Sequence, residues 1–123
     1  MEYTNMRRKS MNKALRALYP DIEFREQTSS VPVMVCHTLP QGAERIDSAD
    51  ALLDKVQKYC IRENEMGLHL PDYSKAFPVF ILSNELKDGK IQHFYRVNYV
   101  SPTEGSQQRA AEYIAQGKLY AVL

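Results

Sequence analysis

Asp72, which follows Pro71, and the triplet Glu85-Leu86-Lys87 are the residues whose types come closest to a reaction centre. Two carboxylates can hold a divalent cation, and a lysine can steady the water that the cation activates; together they make the chemistry of metal-assisted hydrolysis. The histidines His37, His69 and His93 are scattered, with no third ligand beside any pair, so they define no metal centre. Cys36 and Cys60 stand outside any C-x-x-C motif and each sits in an apolar pattern, which reads as two buried, reduced thiols. The chain has no G-x-S-x-G, H-E-x-x-H, P-loop or G-x-G-x-x-G segment. No catalytic residue, metal ligand or cofactor is assigned on these patterns.

Pro71-Asp72 with Glu85-Leu86-Lys87 resembles the signature of the PD-(D/E)xK nucleases. The resemblance implies a Mg²⁺-dependent nuclease with Asp72 and Glu85 on the metal and Lys87 at the attacking water. The chain departs from the family pattern in its context. That family sets the motif on two successive strands after a helix, whereas Asp72 falls in a polar loop, and Glu85 and Lys87 flank the turn signal Asp88-Gly89.

Charge singles out a different region. Residues 1–20 hold Arg7, Arg8, Lys9, Lys13 and Arg16 against Glu2 alone, a segment charge of +4 in a chain whose net charge is +1. A basic element of this kind suits phosphates or an acidic protein surface. A second polymer-binding pattern lies in 90–100, where Phe94, Arg96 and Asn98 share the even positions. In composition that face resembles the base-stacking face of an RRM-like sheet, although the glycine-rich opening is absent and Tyr95 and Tyr99 fall on the other side. The loop from Ser101 to Ser106 precedes a helix start and could meet an anion, but Glu104 opposes that use, and ordinary capping is the expectation.

The elements that must position these residues follow from periodicity. Met11, Ala14, Leu15 and Leu18 recur at helical spacing, predicting a basic amphipathic helix over 4–19, capped by Thr4 or Asn5 and ended by Pro20. Residues 22–26 alternate as a short strand; 31–37 form a nearly continuous apolar strand with Pro32 near its start. Asp47 or Ser48 opens a second helix with Leu52, Leu53, Val56 and Cys60 on its apolar face and an Asp54–Lys58 pair outside it. Residues 62–75 read as a long polar loop. Strands 77–82 and 90–100 are joined by Asp88-Gly89, a strong hairpin signal, and the odd positions of 90–100 are the expected core face. A third helix over 106–116 ends at Gly117, before a short strand over 119–123.

After residue 30 the order is β-α-β-β-α-β. Two split crossovers then predict a ferredoxin-like α+β sandwich of strand order 4-1-3-2 with both helices on one face, preceded by an N-terminal helix and a short extra strand. This rests on pattern alone. Residues 1–123 make one α+β domain at this length, with 4–19 the basic N-terminal helix and 31–123 the core. A hydrophobic fraction of 44% and a charged fraction of 25% are ordinary for a globular protein. No apolar run approaches the roughly 20 residues needed to span a bilayer, and no apolar segment of an export signal follows the basic N-terminus, so the expectation is a soluble cytoplasmic protein without membrane association.

The functional expectation is a small non-enzymatic binding or regulatory protein acting through protein–protein contact, with another protein or a second copy of itself as partner. The alternative is a nucleic-acid-binding module using Arg7, Arg8, Lys9, Lys13 and Arg16 with Phe94 and Arg96; the nuclease ranks third. Order 4-1-3-2 leaves the apolar strand 77–82 at an edge, which predicts a homodimer formed along Phe77, Val79, Phe80 and Ile81.

Overall fold

A computed structural model describes residues 2–27, 33–72 and 75–123, with side chains from Arg8 onward. Arg7's side chain, and Val31 and Pro32 of the expected strand, lie outside the described residues. The elements run α1 (Glu2–Leu18), β1 (Arg25–Gln27), β2 (Val33–Cys36), β3 (Glu44–Arg45), α2 (Ala49–Tyr59), β4 (Ile61–Glu63), β5 (His69–Pro71), β6 (Phe77–Lys87), β7 (Lys90–Val100), α3 (Glu104–Ala115) and β8 (Leu119–Ala121). Among the described residues the fold is α+β: a six-stranded antiparallel sheet of order β1-β2-β7-β6-β8-β3, a separate β4–β5 ribbon, and three helices.

The β6–β7 hairpin is the centre of this sheet. Its register runs unbroken from Phe77↔Val100 to Lys87↔Lys90. The two-residue turn has φ 54° at Asp88 and 76° at Gly89. Both values are left-handed, as a type I′ turn requires, and Asp-Gly meets that requirement at low cost. α2 starts where its cap is: Ser48 Oγ accepts from Ala51 N at 3.3 Å, and Lys58 pairs with Asp54 at 2.9 Å on the outer face. α3 begins at Glu104, two residues before the expected start, and ends in a Schellman motif. Gly117, at φ 69°, donates to Ile114 O at 3.0 Å, and Lys118 N donates to Tyr113 O at 3.1 Å.

The expected strand order 4-1-3-2 is corrected to β2-β7-β6-β8 for the four main strands. The cause is the two-residue β3. After β2, residues 37–43 carry the chain to the far edge, where β3 pairs with β8 and Ile46 N donates to Leu119 O at 2.8 Å. The α2 crossover therefore starts from β3 and straddles β8, while the α3 crossover starts from β7 and straddles β6. These crossovers travel in opposite directions from antiparallel strands with both helices on one face, so they share one hand, as crossover chirality demands.

Core residues lie on both sides of the sheet. Leu52, Val56 and Ala110 from α2 and α3 pack with Phe77, Val79, Val100 and Leu119. On the opposite face Leu15 of α1 packs with Phe24, Met34, Cys36, Phe80 and Val97. The odd positions of β7 are thus not the sole core face: Val97 serves one core and Val100 the other. The N-terminal helix covers the odd face, where Leu15 packs with Tyr95, Val97 and Tyr99.

Strand 77–82 is not an edge. β6 pairs with β7 on one side and, through Phe80↔Tyr120 and Ile81↔Leu119, with β8 on the other. Phe77, Val79, Phe80 and Ile81 are all buried. These four residues therefore do not form the homodimer edge that the sequence pattern predicts. The actual edges are short and polar, Arg25-Glu26-Gln27 and Glu44-Arg45, a composition that discourages further strand pairing.

Candidate functional site

α1 carries its charge outward because its inward face is occupied. Leu15 and Asn12 are buried against the sheet, while Lys9, Lys13 and Arg16, at i, i+4 and i+7, form an exposed stripe. Among the described residues no carboxylate pairs with any of them. Arg16 Nη1 donates to Phe24 O at 3.3 Å, tying the stripe to the segment before β1. Arg8 is half-buried, its guanidinium 5.5 Å from the Tyr99 ring centroid.

The second surface feature, where the sequence pattern predicts a polar loop, is a structured ribbon. β4 and β5 pair Ile61↔Pro71, Arg62↔Leu70 and Glu63↔His69. Asn64 closes the turn, its Oδ1 accepting from Met66 N at 3.0 Å and Leu68 N at 2.9 Å. Met66 is 81% exposed and Leu68 53%; Tyr59, Ile61 and Leu70 are also exposed. Tyr59 then forms one wall of a groove of about 320 Å³ between α1 and the end of α2, with Leu18 on the other side and Pro78 at its base. Leu18 is itself half-exposed, so one apolar surface runs from the last turn of α1 past Tyr59. Tyr59 is held by an edge-to-face contact with Phe77 at 5.4 Å.

The other residues singled out in the sequence are not brought together. Asp72 lies just before the start of β6 and Glu85 near its far end; at about 3.4 Å per residue that is roughly 27 Å of strand between Phe77 and Glu85. Glu85 and Lys87 are exposed beside the turn. His37, His69 and His93 are exposed, on three different segments, and His93 Nδ1 is bonded to Asn84 Oδ1. Among the described residues no group of three His, Cys, Asp or Glu side chains is placed to hold a metal. Phe94 is 8% exposed, so its ring face is not open for base stacking, and Arg96 is half-buried with Nε donating to Ser83 Oγ at 2.9 Å. Cys36 and Cys60 are free thiols in different cores, each buried; burial pushes Cys36 up to about 11 and raises Cys60, with Asp72 adding to the rise.

No protein-family model, curated protein or solved structure matches this chain. Among the described residues no helix is long and apolar enough to cross a membrane. Sequence reasoning missed the ribbon because its apolar residues alternate with charged ones inside a stretch punctuated by Gly67 and Pro71. The signal that could have found it was Asn64 three residues before Gly67, flanked by Ile61 and Leu68-His69-Leu70.

Proposed function

We propose that this is a small non-enzymatic binding or regulatory protein acting through protein–protein contact, with the β4–β5 ribbon as its contact element. The carrying observation is the concentration of exposed Ile61, Met66, Leu68 and Leu70 on a ribbon that the main sheet does not shelter. A two-stranded ribbon alone is marginal in water, and this one exposes apolar side chains on both faces, Leu68 and Leu70 beside Arg62 on one and Ile61 beside Pro71 on the other, which a partner would cover. Arg62, Glu63, Glu65 and His69 supply a polar rim. The partner is another protein or a second copy. The succession β3-α2-β6-β7-α3-β8 is compatible with a ferredoxin-like sandwich, though the strand order differs, and a cytoplasmic location is part of this proposal.

The test is affinity capture of partners from the native host beside a Met66→Asp/Leu68→Asp double variant, with sedimentation of both proteins at low micromolar concentration. Loss of a captured partner, or of self-association, in the folded variant supports the reading. Unchanged capture and unchanged mass in solution overturn it.

One observation favours nucleic acid as a second reading: the stripe of Lys9, Lys13 and Arg16 faces solvent without a carboxylate partner among the described residues. It requires binding that weakens steeply with salt, with a shallower salt slope when Lys13 and Arg16 are neutralised.

A further inference from the structure

α3 has two chemically different sides. Glu104, Gln107 and Gln108 face a groove of about 310 Å³ against α2, and Gln108 Nε2 reaches Glu104 Oε1 at 3.5 Å. Ser106, Arg109 and Tyr113 face the other way, over the end of β7, where Arg8 arrives from α1. Together with Asn98 and Tyr99 they enclose a pocket of about 110 Å³. Arg8, Tyr99, Ser106 and Arg109 also line an adjoining cleft of about 280 Å³, whose further wall includes Met11 and Ala76. Among the described residues no Asp or Glu lines either cavity. Among the described residues neither arginine meets a carboxylate. Two guanidinium groups thus share one cavity without a counter-charge among the described residues.

The polar groups around them are set to donate. Ser106 Oγ accepts from Ser101 N at 3.0 Å, which leaves its own proton for a ligand. Asn98 Oδ1 accepts from Tyr99 N at 3.0 Å, which leaves the amide NH₂. The expectation of ordinary capping is not met, because Thr103 makes no side-chain cap bond and its hydroxyl lies 2.9 Å from that of Ser101. Nor does Glu104 oppose an anion here, since it lies on the α2 side of the helix.

We propose that Arg8 and Arg109 form a binding site for a phosphate dianion, free or as the monoester of a small molecule. Two charged forks, a hydroxyl and an amide offer more donors than the two oxygens of a carboxylate can use, and they match the three terminal oxygens of a phosphoryl group. In a monoester the organic part extends into the adjoining cleft, against Met11 and Ala76. The site is independent of the protein-contact reading and uses none of its residues.

The experiment is a low-salt amide-shift titration of the whole chain with inorganic phosphate, phenyl phosphate and benzoate, repeated on Arg109→Gln. Arg109 is exposed and its side chain makes no hydrogen bond or ion pair among the described residues, so this variant keeps the fold. Both phosphates saturate shifts at Asn98 and across Ser101–Arg109, Arg109→Gln weakens them about tenfold or more, and binding falls as pH is lowered through about 6, where the monoester takes up a proton. Tighter phenyl phosphate assigns the monoester; tighter inorganic phosphate assigns the free ion. Arg8→Gln gives a second variant, with Arg8→Lys retaining part of the affinity. Benzoate binding as tightly as phosphate, equal response in Arg109→Gln, or equal shifts at the first turn of α2 overturns the site.

Discussion

Tyr99 donates its hydroxyl proton to Asn12 Oδ1 at 2.7 Å, a bond between residues 87 positions apart that joins the middle of α1 to β7. Asn12 is 5% exposed, so a polar contact is enclosed in the interface that otherwise rests on Leu15. Burial raises the Tyr99 phenol, against the opposing pull of Arg8. Tyr99→Phe deletes the donor while keeping the ring. The expected loss is about 1–3 kcal/mol of stability, because a buried amide oxygen loses a partner. Chemical denaturation measures it, and amide exchange shows faster opening along α1. An unchanged midpoint with unchanged exchange would mean that α1 is held by apolar packing alone.

Cys36 and Cys60 give the protein an alkaline limit. Burial moves Cys36 from its ordinary 9.0 up to about 11, and Cys60 is raised as well. Above pH 9 the unfolded chain loses these protons first, so the native state holds more of them and stability falls with rising pH. The effect is absent below the unfolded value and complete once pH passes the folded one. For Cys36 the full loss is at most about 2–3 kcal/mol. Unfolding followed across that range shows the decline. In native buffer near neutrality both thiols react slowly with a thiol reagent and become fast in denaturant; rapid native labelling of both would contradict their burial.

The parts of the fold that local chemistry decides were legible. Ser48 capped α2, Asp88-Gly89 turned the hairpin and Gly117 closed α3, each through bonds within a few residues. Strand order was not legible, because it depends on where two residues, Glu44 and Arg45, dock against Tyr120 and Ala121. A two-residue strand has no period to read. The even and odd faces of β7 were misjudged for a related reason. With helices on both sides of the sheet, Val97 and Val100 are both buried, and alternation no longer marks a single interior. Of the candidate site, the exposed stripe on α1 was legible from charge and periodicity. Arg109 was not, since its meeting with Arg8 is a product of tertiary packing.

The hairpin turn offers a local test. Gly89 has φ 76°, which a β-branched side chain adopts only with strain. Gly89→Val is expected to cost about 1–2 kcal/mol. Because, among the described residues, β8 pairs with β6 at Phe80 and Ile81, with Leu82 N donating to Lys118 O just beyond, and β2 pairs with β7 at Tyr95 and Arg96, the tip beyond Asn84 stands outside the sheet. The loss therefore appears first as faster amide exchange from Glu85 to Gln92. Asp88→Asn keeps a residue that tolerates left-handed backbone and leaves the exchange unchanged.

Phe80 separates a core strand from an interface strand. Its side chain is 0% exposed and its ring meets Tyr19 edge-to-face at 6.1 Å. Were 77–82 a dimer edge, Phe80→Ala would loosen association, and the unfolding midpoint of the parent protein along this strand would rise with protein concentration. With the strand enclosed by β7 and β8, the substitution instead opens a cavity between the sheet and α1. The expected loss is about 3–5 kcal/mol. That loss is independent of protein concentration, and the variant sediments with the same mass as the parent while it remains folded. Met66→Asp gives the reverse pattern, with stability held near that of the parent because Met66 is 81% exposed, and any association through the ribbon lost. A Phe80→Ala variant that lost association at unchanged stability would restore the edge strand and refute the sheet order.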